Sequence, residues 1–434
     1  MGRFSALGDL LGSVFERGSW TFSANGAVPE SALEAMAAEL ISSKGEASGV
    51  ALATRLLGGY AGLDSDGRRA FFRHLAEAWE PDAERALAAA SAYGDDPTPE
   101  RQAALAEALE PRRQELFRRL NHAPGGTAAL VRMRADLLRA CRDEPDLKRI
   151  DRDFRQLLAS WFNRGFLVLR PIDWQTPAAV LEKIIAYEAV HQIDSWEELR
   201  RRVVPPDRRC FAFFHPSMPD EPLIFVEVAL VREIPGSIQA LLAADRAGLA
   251  PAEATVAVFY SISNCQPGLA GVSFGAFLIK QVAEDLAHEI PSLSTYVTLS
   301  PVPGLMRWLK EEAEDAPDGD AAEVLATLDH LDWSSGDAIT AARPRVLSLA
   351  ARYLLDAKRS DGKPGDPVAR FHLGNGAELA AMHWPGDTAP NGVRTGAGVM
   401  VNYRYRLDRI EANHEAYASE GRIATTRAVR ALKG

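Results

Sequence analysis

Two residues in the second half of the chain combine a reactive side chain with a backbone that would hold it still. Ser300, in TLSPVPG (Thr298 to Gly304), ends an apolar run that Pro301 and Pro303 forbid from continuing as helix or ladder. His372, in ARFHLGNGAELAAMHW, lies among small residues with Asn375-Gly376 behind it. Imidazole is the side chain best suited to proton transfer near neutral pH. Nearby in the sequence, GVMVNYRYRL supplies Tyr403 and Tyr405 on one face of an expected strand. Taken singly, His372 reads more readily as a hydrogen-bonded structural histidine than as a catalyst, and the tyrosines more readily as core with a bonded hydroxyl.

A second kind of chemistry is written in Phe259 to Val282, FYSISNCQPGLAGVSFGAFLIKQV. A strand runs into a loop with Gly268, Gly271 and Gly275, and an amphipathic helix pattern follows. Glycines let a ligand approach the backbone, and bare amides at a helix start favour an anion such as a phosphate or pyrophosphate. A tight turn with close helix-sheet packing is the plainer alternative. GxxxxGK[ST] does not occur, and the glycine spacing is not GxGxxG. GVSFG (Gly271 to Gly275) fits the GxSxG nucleophile elbow, but its serine should follow the strand directly, whereas Pro267-Gly268 intervenes. Ser273 is therefore expected in the first helical turn.

The elements that must position these residues belong to an α+β chain with two kinds of pattern. Residues 1–165 are expected to form an all-helical bundle domain, with segments such as PESALEAMAAELISSK, opened by Ser31 and Glu34 in capping-box spacing. Residues 166–434 are expected to form a mixed α/β domain. FLVL, closed by Arg170-Pro171, CFAFFH, LIFVEVALV, ATVAVFYSIS and TYVTLSP read as its strands, the second and third as a hairpin. The basic cluster Arg200 to Arg209 reads as a solvated helix end and turn, or as a phosphate contact.

With 434 residues, 47% of them hydrophobic and 25% charged, the chain is long enough for two or three domains and shows no signature of disorder. A net charge of -10 argues against nucleic acid as a partner. Three scattered cysteines (Cys141, Cys210, Cys265) imply neither a disulfide framework nor a zinc site, and the histidines form no HxxxH or HxH pair. No apolar run approaches a membrane span, and the signal-peptide, myristoylation and peroxisomal patterns fail, so a cytoplasmic protein without membrane attachment is expected.

Together FYSISNCQPGLAGVSFGAFLIKQV, TYVTLSPVPGL, VARFHLGNGA and VNYRY resemble, in order and spacing, the malonyl-CoA decarboxylase family, and FFHPSMPDEPLIFVEVAL resembles its upstream stretch. The resemblance covers most of residues 160 to 420 and implies a helical domain used in oligomer contacts, followed by an acetyltransferase-like (GNAT) catalytic domain. It implies a homo-oligomer, a dimer or tetramer. It makes Ser300 and His372 the catalytic serine and histidine and places Ser261 and Tyr405 near the malonyl group. Ala270, Gly271, Val272, Ser273, Phe274, Gly275 and Ala276 become the cradle for the pyrophosphate of coenzyme A. The superfamily word Q/R-x-x-G-x-G/A is met only loosely, by Gln266 to Gly271.

The implied reaction converts malonyl-CoA to acetyl-CoA and carbon dioxide through an enolate, with no metal and no cofactor beyond the coenzyme A of the substrate. The protein must then supply position, stabilisation of the enolate oxygen and a proton to C2. Rival readings are an acyl-CoA-dependent N-acetyltransferase, a coenzyme A-binding module without turnover, and a hydrolase using Ser273.

Overall fold

The computed structural model describes residues 30–42, 45–272, 278–333 and 335–433. They form two compact units, Met1–Leu157 and Leu158–Gly434. The first is helical, with α1 (Glu30–Ile41), α2 (Glu46–Ala61), α3 (Ser65–Ala78), α4 (Ala83–Asp95), α5 (Pro99–Ala108), α6 (Arg112–Asn121) and α7 (Gly126–Ala140). The boundary falls inside α8 (Lys148–Trp161).

Short polar side chains start several of these helices by accepting orphan N–H groups. Asp64 accepts from Gly67, Asp82 from Arg85, and Thr98 from Arg101 ahead of Pro99. Ser31, by contrast, lies inside α1 and does not cap it, while Glu34 faces His74 Nδ1 at 3.2 Å. The apolar stripes of the helices meet around Phe71, Phe72, Phe117, Leu120, Met133 and Phe154, with the Phe117 and Phe154 rings stacked 4.0 Å apart.

One ion pair runs through that core. Arg113, fully buried, donates from Nε to Asp153 Oδ2 at 2.6 Å and from NH1 to the Leu75 carbonyl, and Gln114 donates to the other Asp153 oxygen. Two charges withdrawn from water hold only while every partner is present.

The second unit begins with β1 (Val168–Ile172), α9 (Ala178–Tyr187), α10 (Trp196–Val203), the hairpin β2 (Arg208–Phe214) and β3 (Ile224–Val231), α11 (Ile238–Leu242) and β4 (Val256–Asn264). It continues through α12 (Leu278–Glu289), β5 (Thr295–Thr298), β6 (Ser300–Pro301), α13 (Leu305–Asp315), α14 (Asp320–Asp329), α15 (Gly336–Leu355) and α16 (Pro367–Gly374). It ends with β7 (Glu378–His383), α17 (Pro390–Gly396), β8 (Met400–Arg404), α18 (Ile410–Glu420) and α19 (Arg427–Ala431).

The strands make one mixed sheet in the order β1-β2-β3-β4-β5-β8, with β6 continuing the line of β5 along one edge of β8 and β7 on the other. Only β4 and β5 pair in parallel, as a crossover through α12 requires. Arg170-Pro171 does not close the first strand but lies within it, because β1 is a sheet edge where a missing N–H is tolerated.

Helices cover both faces. Phe211, Phe213, Val226 and Val228 pack on one side with α12 and α15, while Ala212, Phe214 and Phe225 pack on the other with α9 and α10. The arginines of Arg200 to Arg209 are not all solvated: Arg202 and Arg208 are each 3% exposed. Arg202 pairs with Glu198 and Glu227, and Arg208 donates to the Leu241 carbonyl. Among the described residues no helix is long and apolar enough to cross a membrane.

Arg113→Ala should lower the stability of the helical unit by about 3–5 kcal/mol in chemical denaturation, since it leaves the Asp153 charge buried without its ion-pair partner. The double replacement Arg113→Met, Asp153→Leu should recover most of that loss. Equal destabilisation by the single and double variants would contradict the assignment.

Candidate active site

The chain brings Ser300 and His372 together from segments that the sheet and one helix fix separately. Ser300 opens β6 opposite Val401, on the face of the sheet that carries Tyr403. His372 sits in the last turn of α16, which Asp366 caps and Pro367 pre-shapes. The turn back into β7 needs Gly376 at φ 79°, where a Cβ would stand 2.1 Å from the Ile410 carbonyl oxygen.

Ser300 Oγ lies 3.2 Å from His372 Nε2 and donates to Thr298 Oγ1 at 2.9 Å. His372 Nδ1 lies 2.8 Å from the Tyr405 hydroxyl. The Tyr403 ring stacks on the imidazole, with centroids 4.6 Å apart and planes at 23°. Thr298 is fixed in turn, because its Oγ1 accepts from the Tyr403 N–H and its carbonyl accepts from Asn402 Nδ2.

Asp366 locks the two segments to one another. Its Oδ1 accepts from the Val368 and Ala369 N–H groups at the start of α16, and its Oδ2 accepts from the Gly304 N–H just after the serine loop. Gly304 has to be glycine, since a Cβ there would meet the Tyr353 hydroxyl at 2.1 Å.

Burial sets the electrostatics. His372 is 3% exposed and Ser300 6%. Desolvation pushes the imidazole down to about 3, so the ring is neutral at physiological pH. Burial also raises the Tyr405 phenol above its ordinary value, and it raises Asp366 despite the three N–H groups that favour its charged form.

Ser261 is placed apart from this group. A bulge in β4, where Glu227 pairs with Ser261 but Val228 pairs with Phe259, makes Tyr260 an extra residue and turns Ser261 to the opposite face of the sheet. There its hydroxyl donates to Glu188 Oε2 at 2.6 Å and approaches Ser263. Glu188 is itself held by the Val190 and His191 N–H groups.

Beside α16 lies a cleft of about 550 Å³ that Ala270, Gly271 and Val272 line together with Arg370, Phe371 and Asn375. Gly271 has φ 72°, which a side-chain-bearing residue rarely adopts. The amides of Ala270 and Val272 are not bare: they donate to the Pro267 and Leu269 carbonyls in a short 3-10 turn. Ser273, Phe274, Gly275 and Ala276, the rest of the expected cradle, lie outside the described residues.

Thr298, Asp366 and Tyr403 join the site without having been singled out for those roles. Thr298 stands two residues before Ser300, on the same side of an extended chain, and Asp366-Pro367 is a helix-start signature. The stacking of Tyr403 had no comparable sign in the sequence.

Residues 79–162 match the family described as malonyl-CoA decarboxylase N-terminal domain, and residues 165–433 the one described as malonyl-CoA decarboxylase C-terminal domain. The mitochondrial malonyl-CoA decarboxylase of Anser anser anser is 36% identical over 350 residues, spanning 74% of this chain and 69% of that protein. Among solved structures, malonyl-CoA decarboxylase from Rhodopseudomonas palustris is similar at 53% identity and a TM-score of 0.89, over 93% of this chain and 100% of that one. Malonyl-CoA decarboxylase from Agrobacterium vitis is similar at 49% identity and a TM-score of 0.88, with the same coverage. On these grounds the chain belongs to the malonyl-CoA decarboxylase family.

Proposed function

We propose that Ser300, His372 and Tyr405 form a proton line for the reaction of this malonyl-CoA decarboxylase. When the bond from C2 to the carboxylate breaks, carbon dioxide leaves and its electron pair passes into the thioester carbonyl as an enolate. Ser300 then gives its hydroxyl proton to C2, and His372 replaces it. The single observation that carries this reading is the buried contact of Ser300 Oγ with His372 Nε2, with Tyr405 on the other ring nitrogen.

The direction of the line follows from elementary chemistry. A phenol is a better donor than acceptor, so the Tyr405 O–H donates to Nδ1, and the proton of a neutral ring must reside on Nε2, facing Ser300. Ser300 accepts from Nε2–H and directs its own proton to Thr298 until an enolate competes for it. After transfer, the Nε2 proton moves to Ser300 and the Tyr405 proton to Nδ1. Once the product leaves, one solvent proton enters at Nε2 by way of Ser300 while Nδ1 returns its proton to Tyr405, which restores the starting tautomer. Desolvation of the carboxylate favours its loss as a neutral molecule, and the family's reaction needs no added electron sink because the thioester is one.

The same reading takes malonyl-CoA as substrate, coenzyme A as part of that substrate rather than a separate cofactor, and the cytoplasm as the site of action. Three buried free thiols fit a reducing compartment. Self-association through the helical unit fits α4, which buries none of its residues and leaves Leu87 72% exposed.

Incubation with malonyl-CoA in deuterated buffer should release carbon dioxide and give acetyl-CoA carrying one solvent deuterium at C2. Coenzyme A plus malonate would contradict the reaction, and acetyl-CoA without deuterium would contradict the proton step. Ser300→Ala and His372→Ala should each lower kcat by about 10²–10⁴-fold with the fold retained, and Tyr405→Phe by at least about tenfold. Near-normal turnover in both alanine variants would remove the pair.

The pH dependence has a definite sign. Because His372 takes a proton only as pH falls toward about 3, kcat should carry no imidazole titration between pH 5 and 8. The unfolded chain protonates first, so this histidine costs stability progressively as pH falls from about 6.5 toward 3 and costs none above that window. A rate limb centred near 6.5 that disappears in His372→Gln would overturn the neutral-imidazole assignment.

A further inference from the structure

We infer that Arg370 binds a phosphate group of coenzyme A, so that α16 carries both the anchor for the substrate's charged end and the imidazole for its reacting end. The inference rests on the acyl-CoA reading of the cleft beside α16. At about 550 Å³ that cleft has the size of a small-molecule site. Its described lining includes no Asp or Glu, and Arg370 is the one Arg or Lys among those residues.

The guanidinium is oriented without being neutralised. Its NH1 donates to the Pro364 and Gly365 carbonyls at 2.8 and 2.7 Å, which fixes the fork and leaves donors on NH2 and Nε. Among the described residues no carboxylate lies within ion-pair distance of it, whereas Arg202, Arg209, Arg246 and Arg404 of the same unit are all paired. Asp366, four residues away, has already committed both oxygens to backbone N–H groups.

A positive charge held open at a cleft free of acidic side chains is suited to an anion, and a planar guanidinium matches a phosphate at two donors. The glycine-rich corner cannot do this work through Ala270 and Val272, whose amides are taken. Among the described lining residues, the positive charge that complements an anion is the Arg370 side chain. Its place two residues before His372 couples docking to chemistry through one rigid helix.

The test compares malonyl-CoA with malonyl-pantetheine, which keeps the thioester arm but lacks every phosphate. Arg370→Gln should raise the ratio of KM for malonyl-CoA to KM for malonyl-pantetheine about 10- to 100-fold, and Arg370→Lys should restore part of it. An unchanged ratio would overturn the inference, whether because both KM values rise together, as for an arginine that only braces the Pro364-Gly365 turn, or because neither moves. Failure of the unaltered chain to turn over either substrate would remove the acyl-CoA reading itself, and this inference with it.

Discussion

The site depends on one buried carboxylate. Asp366 accepts two N–H groups from the first turn of the helix that carries His372, and one from Gly304, which ends the loop that carries Ser300. Ser300 is fixed to the sheet through β6, while His372 belongs to a helix laid over it. Their alignment is therefore a matter of how that helix is pinned. Three donors converging on one group leave little freedom in rotation or translation, and an error of about 1 Å between reacting groups can cost about 10²-fold in rate.

Burial then decides what the aligned groups can do. In water an imidazole would exchange its proton near neutrality, but at 3% exposure the charged ring is disfavoured and the neutral ring persists. Neutrality makes the tautomer the deciding variable, and Tyr405 sets it from the side away from Ser300. The stacked Tyr403 ring closes one face of the imidazole and keeps its plane in line with both partners. A neutral relay is also compatible with an anionic substrate, since no ion pair forms that would hold the carboxylate against its departure.

Much of this architecture was legible in the sequence, because strands and helix caps are local. The hairpin of CFAFFH and LIFVEVALV and the strand VAVFYSIS lie where alternation and turn residues put them, whereas Ser300 opens a short strand instead of ending one, because Pro301 still pairs with Met400 at the edge of β8. What was not legible depends on partners distant in sequence. β7, in ELAAMH, has no β-branched residue to announce it and is a strand only because β8 lies beside it. The bulge at Tyr260 sends Ser261 to the far face, which no period-two count anticipates. The Ala270 and Val272 amides looked available to a phosphate but close a 3-10 turn, and Arg202, counted as solvated, is buried against Glu227.

The claim on which the rest turns is that His372 is a neutral ring with its proton on Nε2. Nitrogen NMR of the protein labelled with 15N-histidine, with the His372 signals assigned by their loss in His372→Gln, reads charge and tautomer directly. The account predicts a neutral, Nε2-protonated ring that stays unchanged from pH 8 down to pH 5. A ring that titrates near 6.5, or one carrying its proton on Nδ1, would contradict it.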